Sequence, residues 1–186
     1  MKLCSKKHEE SDFKDLPDVE LGKRSLKKDL MRICAEVGME RNSSQYQPWL
    51  IEEKIVGDVD GKPFFGRVDR VDKADDTFRI IDYKTGKIST NIIRDLSFGK
   101  KLQLFSYAKF IGEKYGLKCA GVYYFDAKAG YKNKQKLLVG VTCEDSLDEV
   151  SKNAISQNQM LSLQQKALQM LKKGEESISQ GRLEPY

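Results

Sequence analysis

The chain has 186 residues, enough for one compact domain and hardly for two. Hydrophobic residues make up 39% and charged residues 33%, a globular balance with no apolar run near the roughly 18 residues of a membrane span. The net charge of +5 is compatible with a nucleic acid partner without requiring one, and with no basic-apolar-small leader a cytoplasmic location without membrane partners is expected.

Residues 1–20 are expected to form an irregular, polar N-terminal segment, and 21–186 a single domain that is one part of a larger protein. From Lys23, the apolar residues Leu26, Leu30, Ile33 and Val37 recur at helical spacing, predicting a helix that Gly38 stops. Residues 42–48 read as a loop. Three strand-like runs follow, over 49–56, 64–72 and 77–84, with Asp60-Gly61 as a hairpin signal and Asp75-Asp76 as a second turn. Connections this short predict an antiparallel meander. A helix is predicted over 98–115, with Leu104, Ala108, Ile111 and Tyr115 on its buried stripe and Gly116 as its stop. Residues 119–126 and 136–143 read as two more strands around a lysine-rich loop. Ser146-Leu147-Asp148-Glu149 resembles a capping box. It predicts a long amphipathic helix bearing Leu147, Val150, Ala154, Leu161, Leu168 and Leu171, a stripe for core packing rather than docking. The order predicts an α/β fold with a central mixed or antiparallel sheet flanked by helices.

The four cysteines, Cys4, Cys34, Cys119 and Cys143, lie far apart with no C-x-x-C pair. Neither a zinc site nor an iron–sulfur cluster is therefore expected within this chain, and reduced, partly buried thiols are.

Chemistry concentrates in Gly66-Arg67-Val68-Asp69-Arg70-Val71-Asp72, followed by Ile80-Ile81-Asp82-Tyr83-Lys84-Thr85-Gly86, where acidic residues interrupt apolar strand sequence. A hairpin turning on Asp75-Asp76 sets Ala74 opposite Thr77, Val71 opposite Ile80, and Asp69 opposite Asp82. Directly paired residues share a face of the sheet, and the period of two puts Lys84 beside Asp82. Two carboxylates about 5 Å apart repel by roughly 3 kcal/mol at an effective dielectric near 20. A hard divalent cation such as Mg²⁺ or Mn²⁺ relieves that repulsion. It would also polarise a phosphodiester and lower the pKa of a bound water. Lys84 is placed to orient that water or to neutralise charge on the phosphorane. D-x-K alone is commonly a surface ion pair; the paired acidic strand, the glycines and the apolar flanks make this pattern specific.

Together, G-R-V-D-R-V-D and I-I-D-Y-K-T-G resemble motifs II and III of RecB-type nucleases of the PD-(D/E)XK superfamily, the group holding the AddA/AddB and RecB nuclease domains and Cas4-like proteins. The resemblance covers roughly residues 49–124 and implies a restriction-endonuclease-like core. It implies Asp69 and Asp82 as metal ligands, Lys84 as the catalytic lysine, and the backbone carbonyl of Tyr83 as a further ligand. The family's Q-x-x-x-Y element is matched by Gln103-Leu104-Phe105-Ser106-Tyr107. Its i, i+4 spacing puts Gln103 and Tyr107 on one helical face, within reach of the site or of a DNA strand. The function implied is that of a Mg²⁺- or Mn²⁺-dependent deoxyribonuclease, exonuclease rather than endonuclease. DNA is its implied partner, together with the rest of a helicase–nuclease polypeptide or complex in double-strand break repair and recombination. The alternatives are a Cas4-like CRISPR-associated nuclease, a non-catalytic DNA-binding module that kept the fold, and a docking domain built around the C-terminal helix.

The match has gaps. The family's motif I, an upstream helix with a His or Glu that completes the metal site, has no clear counterpart. His8 lies in a charged run, and Glu36, Glu40, Glu52 and Glu53 are substitutes by position alone. The cysteine cluster that AddB and Cas4 proteins carry downstream is not matched. Lys128, Tyr131, Lys132, Lys134 and Lys136 form a loop that either tracks phosphates and stacks a base or is a solvated tip. No P-loop is present, so a helicase motor would reside elsewhere.

Overall fold

Val68, Val71, Ile80 and Ile81 are wholly shielded from water, and their burial draws together the strands that carry the acidic residues. The computed structural model describes residues 17–86, 88–89, 91–126, 138–148 and 154–182. His8, Cys4, Glu149, Val150, the lysine-rich loop and the side chain of Glu36 lie outside the described residues. The chain divides into two units, Met1–Met39 and Glu40–Tyr186.

Helix α1, Pro17–Ser43, starts ahead of the expected Lys23 and runs through the expected stop. Proline suits a first helical turn because its missing N–H has no partner to lose there. Gly38 costs the helix only about 1 kcal/mol relative to Ala, too little to end it. Ser43 marks the end, its hydroxyl donating back to the Glu40 carbonyl at 3.1 Å. Leu26, Leu30, Ile33 and Val37 all fall within this helix, as their spacing predicts.

In the second unit five strands form one sheet in the order β1-β2-β3-β4-β5. They are β1 Gln47–Val59, β2 Lys62–Ala74, β3 Thr77–Lys84, β4 Lys118–Asp126 and β5 Leu138–Thr142. The first three form the expected antiparallel meander. Asp60 and Gly61 take φ of 59° and 81°, the left-handed pair that a tight hairpin turn requires. β4 then pairs with β3 in parallel and with β5 antiparallel, so the sheet is mixed. The crossover between β3 and β4 passes through α2, Ile92–Ser97, and α3, Gln103–Tyr115. The helix expected over 98–115 begins later, at Gln103, and α2 precedes it where no helix was expected. Gly99 and Lys101, at φ of 68° and 56°, make the turn that separates the two helices. Asn91 caps α2 by accepting the Arg94 N–H at 3.0 Å, and α3 ends at Gly116 as expected.

The last helix, α4 Gln157–Ser179, starts later than expected, at a capping box made by Ser156 and Gln159. Asp148 is instead drawn into tertiary bonds, accepting from the Ser44 hydroxyl at 2.6 Å and the Gln45 N–H at 2.8 Å. The buried face of α4 is Met160, Gln164 and Ala167; Leu161 is 47% exposed.

Leu104, Phe105, Ala108 and Ile111 of α3 join Val71, Ile80, Val122, Met160 and Ala167 in one core on one side of the sheet. Each large side chain there contributes about 1.5–3 kcal/mol. The other side carries a buried charge network. Arg70 grips Asp72 through Nε at 2.5 Å and Nη2 at 2.7 Å, and Arg79 reaches Asp72, Glu40 and Asp148. Burial opposes the charge on Arg70, yet the bonds to Asp72 hold its pKa above the ordinary value. Cys119 and Cys143 are buried free thiols, and Cys34 is exposed. No helix among the described residues is long and apolar enough to cross a membrane.

Candidate active site

The ladder from the Asp75-Asp76 turn runs unbroken from Ala74↔Thr77 through Val71↔Ile80 to Arg70↔Ile81, the register expected from the sequence. One step further brings Asp69 level with Asp82. The Asp69 carboxylate accepts the backbone N–H of Tyr83 at 3.0 Å, which ties β2 to β3 one step beyond the ladder. Asp82 is 3% exposed. Its Oδ2 is fully buried and receives no well-directed hydrogen bond, while the Lys84 ammonium stands 2.5 Å from it as an ion partner.

Burial pushes the Asp82 carboxyl above its ordinary value. Lys84 works against the rise through its bond and charge, the charge of Asp69 adds to it, and Lys101 opposes it. Asp69, Asp82 and Lys84 are therefore brought together, and the strand carboxylate with the greatest need of a cation is Asp82. The donors are hard carboxylate oxygens, one of them buried against the Lys84 ammonium, and this chemistry fits a hard divalent cation. Among the described residues no cluster of three or more His, Cys, Asp or Glu side chains assembles.

A change of phase in β2 aims Asp69. Val68 and Val71 both belong to the core, although strict alternation would put residues three apart on opposite faces. Between the pairs Ile51↔Arg70 and Glu53↔Val68, Glu52 stands level with Asp69 at φ 52°, a left-handed backbone rare for such a residue. Irregularities of this kind re-aim a strand side chain beside a site.

Tyr83 alternates to the other side of the sheet. Its hydroxyl accepts from Arg70 Nη1 at 3.3 Å and its ring lies 5.1 Å from that of Phe125, so only its backbone faces the carboxylates.

The Gln103–Tyr107 pair forms as expected, with Gln103 Nε2 donating to the Tyr107 hydroxyl at 3.1 Å. Tyr107 is only 8% exposed, and Gln103 is the exposed member. The tyrosine ring lies against Gly66, where an added Cβ would stand 2.5 Å from Cε1 and 2.9 Å from Oη. The glycine that opens G-R-V-D thus admits the ring that seats α3 on β2, three residues ahead of Asp69.

The substitutes for motif I go elsewhere. Glu40 serves Arg79 on the opposite side of the sheet. Glu52 pairs with Arg67 at 2.9 Å, and Glu53 with Lys114 at 2.7 Å. Sequence reading missed Lys101 and Tyr124. The buried Tyr124 ring has the Lys84 ammonium 5.6 Å and the Lys101 ammonium 5.5 Å from its centre. Burial raises the Tyr124 phenol above its ordinary value, and the charges of Asp82 and Asp95 raise it further. The only signal for Lys101 was its place two residues before Gln103.

A family model described as the PD-(D/E)XK nuclease superfamily matches residues 4–185. A comparison with curated proteins gives no match.

Proposed function

The chain belongs to the PD-(D/E)XK nuclease superfamily, with its restriction-endonuclease-like α/β core, and from that premise we propose a divalent-metal-dependent deoxyribonuclease of the RecB/AddB-like kind. The observation that carries the reading is the meeting of Asp69, within β2, with Asp82 and Lys84 at the end of β3. Asp69, Asp82 and the Tyr83 carbonyl would hold Mg²⁺ or Mn²⁺. When bound, such a cation supplies Lewis-acid activation of the phosphodiester and of the attacking water. Asp82 would offer its buried carboxylate to the cation, and Asp69 adds a second negative charge. Lys84 would stand beside the scissile phosphate, there to orient the attacking water or neutralise charge developing on the phosphorane. Gln103, braced by Tyr107, contacts the DNA strand.

The RecB-type pattern in the sequence supports a further reading: a cytoplasmic domain in a larger helicase–nuclease, acting as an exonuclease in double-strand break repair and recombination. A second reading has its own observation. No third acidic ligand joins the pair among the described residues, as a DNA-binding module that kept the fold without cleaving would have it.

End-labelled and circular DNA, incubated with Mg²⁺, Mn²⁺ or EDTA, separate these. Metal-dependent loss of the linear substrate alone, abolished in Asp82→Ala and Lys84→Ala, is the expected result. DNA binding with no cleavage under any metal would leave the binding module.

A further inference from the structure

Lys101 stands in a tight turn between α2 and α3. Gly99 N–H bonds to the Leu96 carbonyl at 3.0 Å and Lys100 N–H to the Asp95 carbonyl at 2.9 Å. Two left-handed residues, Gly99 and Lys101, make that turn. For glycine the conformation is free of strain, whereas a lysine with φ 56° is held there against its preference. Its side chain lies over the buried Tyr124 ring, on which the Lys84 ammonium also rests. Lys84 is already committed to Asp82. Lys101 makes no hydrogen bond or ion pair among the described residues and is exposed. Its charge nevertheless reaches Asp82. The site thus presents one ammonium bound to a carboxylate and a second with no anion among the described residues, both against one aromatic ring.

We propose that Lys101 is a phosphate-binding residue of this site, its ammonium taking a non-bridging oxygen of a DNA phosphate alongside Lys84. Solvent does not account for the arrangement as well. A solvated lysine gains nothing from a strained backbone, and the same turn is open to glycine, asparagine or aspartate. The ligand is a phosphodiester strand because the neighbouring groups are those proposed to act on one. The inference rests on the nuclease reading but is tested by binding, not by turnover.

The test uses the full chain, a fluorescein-labelled single-stranded oligonucleotide and Ca²⁺, with anisotropy measured across a salt series. Lys101→Gln and Lys101→Gly are expected to weaken binding at low salt by about three- to ten-fold and to flatten the plot of log K against log salt by roughly 0.7. Lys101→Arg is expected to keep both. Lys101→Gly should melt no lower than the wild type, because glycine relieves the turn, so its loss of affinity is not a loss of fold. Wild-type affinity and slope in Lys101→Gln would overturn the proposal, as would a wild type that binds no DNA. Should the binding loss appear while no metal yields cleavage, Lys101 keeps its role and the nuclease reading fails. Metal-dependent cleavage with unchanged binding in Lys101→Gln does the opposite: the nuclease reading stands and Lys101 loses its role.

Discussion

A single methyl group at Gly66 tests how the helix carrying the Gln103–Tyr107 pair is seated. In Gly66→Ala the new Cβ would stand 2.5 Å from Cε1 and 2.9 Å from Oη of Tyr107. Both are inside contact distance, so the ring or the strand must shift. The Tyr107 hydroxyl is already bonded to Gln103 at 3.1 Å and approached by the Arg67 N–H at 3.4 Å, which leaves the ring little room. Overpacking of this kind costs about 1–3 kcal/mol. At roughly 2–4 °C per kcal/mol for a chain of this size, Tm should fall by about 2–12 °C. The decisive comparison is made by calorimetry in a Tyr107→Leu background, where the ring edge is gone. There the methyl should be nearly neutral, so the two changes couple by at least about 1 kcal/mol. An equal penalty in both backgrounds would refute the packing account and assign the cost to the backbone of β2.

Two other perturbations address charge. Asp82→Asn should abolish cleavage yet leave the protein as stable as the wild type, or a few degrees more so, at neutral pH. Burial raises the Asp82 carboxyl, so the folded chain binds its proton at a higher pH than the unfolded chain. Wild-type stability relative to the variant should therefore fall as pH rises through the window between the ordinary value of 3.8 and the raised folded value, then stay flat. A wild-type advantage that grows with pH would contradict this. On the opposite side of the sheet, Asp72→Ala leaves Arg70 and Arg79 buried without their shared carboxylate. A loss of about 3–5 kcal/mol is expected in urea melts, and a loss under about 1 kcal/mol would show that Glu40 and Asp148 suffice.

The pairing of Asp69 with Asp82 was legible because it can be counted from a turn, and the ladder between Ala74↔Thr77 and Arg70↔Ile81 contains no irregularity. The change of phase one step beyond was not, because it depends on the backbone of Glu52 in another strand. Ser146 and Ser156 carry the same local capping signature, S-x-x-E against S-x-x-Q. The choice fell to Ser156 because Asp148 is held by Ser44, Gln45 and Arg79, contacts remote in sequence. Helix α2 has six residues, too few for periodicity to declare it. Lys101 is one of 33 lysines and arginines, and nothing local distinguishes it until the turn around it is formed.

The parallel pairing of β3 with β4 has a consequence for the order in which the candidate site assembles. Asp69, Asp82 and Lys84 come from a hairpin that can form early, but Tyr124 arrives only after the whole crossover through α2 and α3 has closed. Contacts so distant in sequence form late in folding. A chain still emerging from the ribosome, or one cut anywhere between Lys84 and Tyr124, holds the acidic residues without the ring and turn that complete their surroundings.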